Sequence, residues 1–482
     1  MTVGIERRTK IVATVGPASD DPLVMRDMLE AGTDVVRLGL AHGTVESSLE
    51  RLARVRKAAA LVHRPIGVLI DLPGPKVRTA PFPEDGAILP TGATVHLVEA
   101  EHGSASTAKV VEIALDGAVS HLAPGDRLGL GDGGVTLVVT EVGDGDVRAH
   151  VENGGILRGR PGIALPDDRM PLHSPTDADL AMLEQLVKAD IDAVAVSFVR
   201  SAADVAAVRA AVGRDGPMIV AKIETAPAVA DLDAIVAAAD GVMVARGDLG
   251  VRLPLEDVPH VQKQIIRTSV AHGKPVITAT QMLESMTTAR TPTRAEVSDV
   301  ANAVFDGTSA VMLSGETAIG DDPANVVATM SRITLRAERE FDHVGWGRNM
   351  GQTQLVGLHE AATTVRMTSG ITAAAWRASV DADLAAIIAC TNTGTTARMI
   401  SRFRPTCPIL AMTPSERTAR QLAMAWGIRP RVVEERGTSD EIVWHAVEAA
   451  ATMGVVRAGD VVAVLVGSPD DVEPTTDVLR LV

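Results

Sequence analysis

Short apolar runs alternate with helical patterns along the first two thirds of the chain. Between Lys10 and Glu316 the runs are rich in Val, Ile and Ala, and the segments between them place apolar residues at helical spacing. This alternation is typical of parallel β-α-β units whose sheet is covered on both faces. Eight such runs in series predict an α/β fold, a closed (β/α)8 TIM barrel rather than an open sheet. The runs span residues 11–16, 34–40, 66–72, 193–198, 218–224, 241–245, 275–281 and 309–314.

One interval interrupts this rhythm. Between the third and fourth runs, period-two segments such as residues 94–98 and 135–139 alternate with turn signals, which predicts a β-rich domain inserted at the end of the third strand. That position favours a lid over the barrel mouth. After about residue 351 the alternation restarts, which indicates a separate open α/β domain. The predicted domains are therefore a barrel formed by 1–73 and 166–345, a lid formed by 74–165, and a C-terminal α/β regulatory domain formed by 351–482.

Composition and charge limit the classes of function. The 46 Lys and Arg against 61 Asp and Glu give a formal net charge of −15 over 482 residues, which disfavours binding to nucleic acid or to an anionic membrane. No apolar stretch approaches the roughly 18 residues that span a bilayer, and residues 1–10 lack the apolar core of a signal peptide. We therefore expect a cytoplasmic protein. The only cysteines, Cys390 and Cys407, exclude a disulfide framework and a cysteine-metal cluster.

Polar side chains lie at the ends of almost all the predicted barrel strands. Functional side chains in parallel barrels gather at the carboxyl ends of the strands, so this distribution predicts an active site at one mouth of the barrel. The residues are Arg37, His42, Asp71, Ser197, Arg200, Lys222, Glu224, Arg246, Asp248, Thr280, Ser314 and Glu316.

Lys222, Glu224 and Asp248 have the chemistry of a divalent-cation site. Lys222 and Glu224 are two residues apart on a strand, so both side chains point to the same side. The carboxylates of Glu224 and Asp248, from adjacent strands, suit Mg²⁺, which takes one or two carboxylates and completes its shell with water and substrate oxygens. The N–H groups of Gly247 and Asp248 begin a new segment and are placed to bind an anionic carboxylate. The alternative is a local ion pair that caps the strand.

Seven segments of the chain resemble the signatures of the pyruvate kinase family. They are distributed over most of the sequence, and the resemblance implies a barrel, a lid inserted after the third strand and a C-terminal effector domain, usually assembled as a homotetramer. The segments include Ala221-Lys222-Ile223-Glu224 and Arg246-Gly247-Asp248-Leu249-Gly250, and their full ranges are 8–17, 221–224, 243–250, 280–286, 294–296, 298–304 and 312–317.

The resemblance implies phosphoryl transfer from phosphoenolpyruvate to ADP, giving pyruvate and ATP, with Mg²⁺ or Mn²⁺ as the cofactor. It assigns the metal to Glu224 and Asp248, and it gives Lys222 the role of offsetting charge on the transferring phosphoryl group and the enolate. Thr280 matches a threonine that contacts the substrate carboxylate and helps to protonate the enolate. Ser314 matches a serine of the proton-relay region.

Other matched positions concern the substrate and the nucleotide. Arg37 and Arg78 match phosphate-binding arginines, and Arg37 is expected to act on both substrates. His42 matches a histidine close to the nucleotide, and Arg160 lies near a position where the family often carries lysine. Gly247 is expected to bind phosphoenolpyruvate together with Asp248. For a lone Arg or His, solvation at the surface would be the usual reading.

Two strand ends depart from the family pattern. Gly39, Ala41 and Leu72 stand where potassium-dependent members carry side-chain oxygens, and of the four potassium-binding positions Asp71 alone keeps one. Lys76 resembles the pattern of potassium-independent members, and an ammonium near Asp71 would supply the charge that potassium gives. We therefore expect that potassium is not required. The alternative is that Lys76 is a solvated lysine at the hinge of the lid.

The C-terminal domain departs from the pattern as well. Its loop of threonines, Asn392 and Gly394 resembles the family's loop for a sugar-phosphate effector, although such a loop is also an ordinary helix cap. Carboxylates between residues 467 and 477 oppose a phosphorylated ligand. We expect activation by sugar phosphates to be weak, altered or absent. The loop residues are Thr391, Asn392, Thr393, Gly394, Thr395 and Thr396.

Two other functions are weighed against this one. A non-catalytic paralogue that senses phosphoenolpyruvate or nucleotide is suggested by Gly39, Ala41 and the altered tail, but a sensor has no need of the relay residues Thr280 and Ser314. A metal-dependent lyase that acts on a keto acid through an enolate would release pyruvate without ADP. The lyase reading gives no reason for an inserted lid that carries Arg78.

Overall fold

The computed structural model describes residues 7–41, 43–101, 103–131, 133–143, 145–167, 169–170, 172–357, 363–467 and 475–482. The chain starts with three parallel strands separated by two helices. Nearly every position of these strands is buried, as the continuous apolar runs require of a sheet that is covered on both faces. The elements are β1 (Lys10–Thr14), α1 (Pro22–Glu30), β2 (Val35–Gly39), α2 (Val45–Leu61) and β3 (Gly67–Asp71).

The next eight strands lie outside the barrel sheet and have their own apolar core. β4 pairs with β10, and the others form a sheet in the order β11-β7-β8-β9-β5-β6, in which β5 and β6 are parallel and the other pairs antiparallel. Burial alternates along β9, as the period-two pattern predicts. The strands are β4 (Phe82–Leu89), β5 (Thr94–Glu99), β6 (Val110–Ile113), β7 (Arg127–Leu130), β8 (Val135–Val142), β9 (Val147–Asn153), β10 (Gly155–Gly159) and β11 (Ile163–Ala164).

The remaining five strands close the barrel. Its strand order is β1-β16-β15-β14-β13-β12-β3-β2, and each strand overlaps its predicted run, so the predicted (β/α)8 barrel is confirmed. The elements are α3 (Asp177–Leu186), β12 (Ala193–Val196), α4 (Ala202–Val212), β13 (Met218–Ile223), α5 (Ala226–Ala230), α6 (Leu232–Ala238), β14 (Gly241–Ala245), α7 (Arg246–Arg252), α8 (Val258–Ala271), β15 (Val276–Ala279), α9 (Arg294–Phe305), β16 (Ala310–Leu313), α10 (Gly315–Ala318) and α11 (Pro323–Glu338).

The C-terminal part is an open α/β unit, as predicted. Its sheet has the order β19-β18-β17-β20-β21, with β21 antiparallel to β20. Cys390 and Cys407 are free thiols. No helix within the described ranges is long and apolar enough to cross a bilayer. The elements are α12 (His343–Gly357), α13 (Thr363–Asp381), β17 (Ala386–Cys390), α14 (Thr395–Ser401), β18 (Ile409–Thr413), α15 (Glu416–Leu422), β19 (Ile428–Val432), α16 (Ser439–Thr452), β20 (Val462–Val466) and β21 (Val478–Leu481).

Candidate active site

Asp71, at the end of β3, is the centre of a buried ion-pair network at the carboxyl ends of the strands. Its Oδ2 accepts a hydrogen bond from Nε of Arg37 at 2.6 Å, and its Oδ1 lies 3.3 Å from Nζ of Lys222, which also donates to Oγ of Ser197 at 2.7 Å. Burial alone would raise the pKa of Asp71, but the charges of Lys222 and Arg37 outweigh it and lower that pKa. Burial would likewise lower the pKa of Lys222, but Asp71 and Glu224 outweigh it and raise that pKa. Each oxygen of Asp71 is therefore paired with a cationic side chain of the protein.

Glu224, directly after β13, has one oxygen that accepts no hydrogen bond from a described residue. Its Oε2 accepts the N–H of Phe198 at 2.7 Å, whereas Oε1 lies 3.0 Å from Nζ of Lys222 without a hydrogen bond to any described residue. Burial raises the pKa of Glu224, and the charge of Asp248 raises it further against the opposing charge of Lys222. The described residues contain no cluster of three or more metal-ligating side chains. Two carboxylates with water and substrate oxygens fit Mg²⁺ or Mn²⁺.

The ammonium of Lys76 is paired differently from the expectation. Its Nζ lies 3.1 Å from Oδ1 of Asp248, and both side chains are partly exposed. Asp71, in contrast, is 3% exposed, and its two oxygens face Arg37 and Lys222. The position predicted for Lys76, beside Asp71, is therefore corrected: two deeper cations neutralise Asp71, and Lys76 adds its charge at the outer carboxylate.

Thr280 and Gly247, both predicted to bind the substrate carboxylate, lie within hydrogen-bond distance of each other. The N–H of Gly247 donates to Oγ1 of Thr280 at 2.9 Å. Thr280 has a φ of 66°, a left-handed conformation that is costly for a β-branched residue. Arg246 stabilises it, because its Nη2 donates to the carbonyl of Thr280 at 2.5 Å while its Nη1 donates to Asp299 at 2.8 Å. The sequence placed Arg246 at a strand end but did not indicate this role, and it gave no signal for Asp299 as its partner.

Glu316 accepts hydrogen bonds from the backbone of two loops, one that contains Ser314 and one that contains Leu283. The N–H of Ser314 donates to Oε2 of Glu316 at 2.6 Å, and the N–H of Leu283 donates to Oε1 at 3.1 Å. Glu316 is buried, and burial raises its pKa. This carboxylate therefore joins the loops that follow β15 and β16. The signal in the sequence was an acidic residue in the first turn after a strand end, where backbone N–H groups are free.

Arg78 and Arg160 lie together where the inserted strands meet the barrel. Nη1 of Arg78 donates to the carbonyl of Arg160 at 3.1 Å, and Arg78 pairs with Gly162 in an isolated β-bridge. Arg160 is exposed, and its Nε donates to the carbonyl of Thr79 at 3.5 Å. His42 lies outside the described residues, so its place next to the nucleotide stays a prediction.

The predicted effector loop borders a cavity of about 220 Å³ in the C-terminal unit. Gly394 precedes α14 with a φ of 80°, and its N–H donates to Oγ1 of Thr391 at 2.9 Å. Glu434 and Glu435 line the same cavity, together with Arg436. Most of the predicted acidic tail, residues 468–474, lies outside the described residues. The loop residues in the wall are Thr391, Asn392, Thr393, Thr395 and Thr396.

Comparison with known proteins gives concordant matches. The family model "Pyruvate kinase, barrel domain" matches residues 6–327, and "Pyruvate kinase, alpha/beta domain" matches residues 369–482. The pyruvate kinase of Methylorubrum extorquens is 41% identical over 476 residues, which cover 98% of this chain and 97% of that relative. The pyruvate kinase of Geobacillus stearothermophilus is 38% identical over 483 residues, covering 99% and 80%. The crystal structure of a pyruvate kinase from Cryptosporidium parvum matches with a TM-score of 0.89 and 31% identity, covering 99% of this chain and 96% of that one.

Proposed function

The chain belongs to the pyruvate kinase family, and from this premise we propose that its barrel mouth moves the phosphoryl group of phosphoenolpyruvate to ADP with Mg²⁺ or Mn²⁺ and without a requirement for potassium. One observation carries the proposal: the row of charges formed by Asp71, Lys222 and Glu224. In this row protein cations bind both oxygens of Asp71. Oε1 of Glu224 is ion-paired with Nζ of Lys222 at 3.0 Å but accepts no hydrogen bond from a described residue.

Glu224 and Asp248 would hold the divalent cation. When bound, the cation supplies positive charge to oxygens of the substrate. Lys222 opposes the effect of burial on the pKa of Glu224 and so favours the ionised form that binds metal. The carboxylate pair has oxygen chemistry that suits Mn²⁺ as well as Mg²⁺.

Lys222, Thr280 and Ser314 would act on the reacting atoms. Because its pKa is raised, Lys222 keeps its proton at neutral pH and offsets the charge of the phosphoryl group and the enolate. Oγ1 of Thr280 accepts the N–H of Gly247, so the hydroxyl hydrogen of Thr280 is available for the substrate. We assign the proton relay to the enolate carbon to Thr280 and Ser314, with ordered water between them.

The nucleotide would bind between the barrel mouth and the lid formed by residues 74–165. Arg37 reaches this mouth from β2, while Arg78 and Arg160 lie at the connection to the lid. We assign phosphate contacts to these three arginines and a place beside the nucleotide to His42. Closure of such a lid excludes water from the transferring phosphoryl group.

Potassium independence rests on the chemistry of four positions. Gly39, Ala41 and Leu72 carry no side-chain oxygen, and both oxygens of Asp71 already bind protein cations. Lys76 adds a fixed positive charge 3.1 Å from Asp248. At these four positions an alkali ion would therefore find no carboxylate oxygen without a cation partner, and it would add charge to a site that already contains Arg37, Lys222 and Lys76.

Regulation and assembly complete the proposal. We expect a cytoplasmic homotetramer. We also expect sugar phosphates to activate it weakly, differently or not at all, because Glu434 and Glu435 line the cavity of the effector loop. Velocity against phosphoenolpyruvate, measured with and without candidate sugar phosphates, tests this regulation. A strong shift of the curve to lower substrate concentration would refute it.

The test of the reaction is to measure pyruvate and ATP together. Purified protein with phosphoenolpyruvate, ADP and Mg²⁺ should form the two products in equal amounts, and Lys222→Met should abolish both. Pyruvate released without ADP would identify a lyase. The absence of both products from the unmodified protein would favour a sensor.

A further inference from the structure

A crevice between the barrel and the C-terminal unit gathers four basic side chains. Residues just before β15 and β16 contribute to it, so it lies at the amino ends of the barrel strands, opposite the active-site mouth. The two units approach closely here, because a Cβ at Gly273 would lie 2.5 Å from Sδ of Met399. The polar lining residues are Lys274, Ser309, Arg398, Ser401, Arg402 and Arg404.

Two of these arginines are buried with unused donors. Arg402 is 5% exposed and Arg404 is 2% exposed. Nε of Arg402 and both Nε and Nη1 of Arg404 have no hydrogen-bond partner within the described ranges. Their other bonds go to neutral oxygens, such as Oγ of Ser369 at 2.7 Å for Arg402 and the carbonyl of Thr308 at 3.2 Å for Arg404. Neither arginine forms an ion pair with a described residue.

Counter-charge around the crevice is scarce. Asp240 acts on Lys274 and Arg398, but it is already paired with Arg209. Glu338 acts on Arg404, but it already accepts the backbone N–H groups of Arg8 and Thr9. Burial lowers the pKa of Lys274, and the charge of Arg398 lowers it further against the opposing effect of Asp240. Lys274 of the barrel and Arg398 of the C-terminal unit therefore repel each other.

Such an arrangement is costly unless an anion is bound. Buried charges require partners, and the ring of Trp426, 4.4 Å from the guanidinium of Arg404, compensates only in part. A water-sized sphere can place its centre within only about 10 Å³ of the crevice, which leaves room for one small occupant. This size selects a monatomic anion over a phosphate ester or a nucleotide.

We propose that the crevice binds one chloride-sized anion, held by Lys274, Arg398, Arg402 and Arg404, and that this anion fastens the C-terminal unit to the barrel. The anion would add the missing acceptor for the unused guanidinium donors. It would also neutralise part of the like charge that the two units bring together. The site is separate from the active-site mouth, whereas Arg398 connects it to the effector loop, because its Nη2 donates to Oγ1 of Thr395 at 3.4 Å.

Bromide is the probe, because it replaces chloride and scatters X-rays anomalously. Crystals of the full-length protein grown without chloride and soaked in bromide should show an anomalous peak among the nitrogen atoms of the four side chains. In solution, with gluconate holding the ionic strength constant, bromide should raise Tm by at least about 2 °C. Bromide peaks elsewhere with none in this crevice would overturn the proposal.

A charge variant and a matched control separate this site from general salt effects. Lys274→Met should raise the bromide concentration that gives half of the Tm shift by about tenfold or more, as expected for the loss of one charge-assisted contact. Lys188→Met, which removes an exposed lysine outside the crevice, should leave the Tm shift unchanged. An unaltered bromide response in Lys274→Met would contradict the proposal. A crystal peak without any Tm shift would mean an adventitious ion only and would also contradict it; the crystal measurement on unmodified protein stands even if the variant fails to fold.

Discussion

Replacement of Arg246 by methionine tests how Thr280 is held for the reaction. Arg246 donates to the carbonyls of Thr280 and Ala279 at 2.5 and 3.2 Å, and Thr280 keeps a φ of 66°. A conformation of this kind costs about 1–3 kcal/mol, and each hydrogen bond from a charged donor contributes about 1.5–3 kcal/mol. Loss of two such bonds is enough to release the loop. A loss of about 3 kcal/mol in transition-state stabilisation lowers kcat/KM for phosphoenolpyruvate on the order of 100-fold.

The assay is steady-state kinetics combined with a double-mutant cycle. If Arg246 acts through Thr280, then Arg246→Met added to Thr280→Ala should cost little more than Thr280→Ala alone. Asp299→Asn is the matched control, since it leaves the bonds from Arg246 to the loop in place and should lose less than about tenfold. Mn²⁺ affinity, measured by electron paramagnetic resonance, should not change. Fully additive losses, or a parallel loss of Mn²⁺ affinity through Asp248, would refute this reasoning.

Three further variants test the charges of the site and the fold. Lys76→Met should lower kcat/KM by at least about tenfold, with no rescue by potassium, because it removes a fixed charge beside the transferring phosphoryl group; rescue by potassium would contradict this. Glu224→Gln should weaken Mn²⁺ binding by more than about tenfold, whereas Asp299→Asn, the same chemical change outside the carboxylate pair, should not. Burial lowers the pKa of His343, and the charge of Arg8 lowers it further. Below about pH 6.5 the imidazole is therefore protonated in the unfolded state but still neutral in the native state, so protonation favours unfolding. Tm should therefore fall as the pH drops from 6.5 towards the native pKa, and less steeply for His343→Gln; equal slopes would contradict the assignment.

Local patterns were sufficient to predict the barrel strands and part of the site. A continuous apolar run bounded by helical segments indicates a strand buried on both faces, and all eight predicted runs overlap a barrel strand. The spacing of Lys222 and Glu224 likewise indicated side chains on the same side of β13, and Nζ and Oε1 lie 3.0 Å apart. In both cases the determining geometry extends over only a few residues.

The remaining contacts depend on distant parts of the chain. The partner of Lys76 is Asp248, 172 residues away. This contact depends on the direction that the chain takes after β3, towards β14. Asp299, on α9, pairs with Arg246, which follows β14. The periodicity of neither segment indicates this contact. Arg402 and Arg404 show the limit most clearly, since arginines are normally exposed and only the packing of the C-terminal unit against the barrel buries them.

The most direct test of a site that needs no alkali ion is a potassium titration of the initial rate. Phosphoenolpyruvate, ADP and Mg²⁺ are held at saturation, and potassium is varied from zero to about 0.1 M with tetramethylammonium keeping the ionic strength constant. If the side chains around Asp71 replace the ion, the rate should change by less than about twofold, equivalent to about 0.4 kcal/mol in the barrier. A rise of about tenfold or more on adding potassium would show that an alkali ion still completes the site.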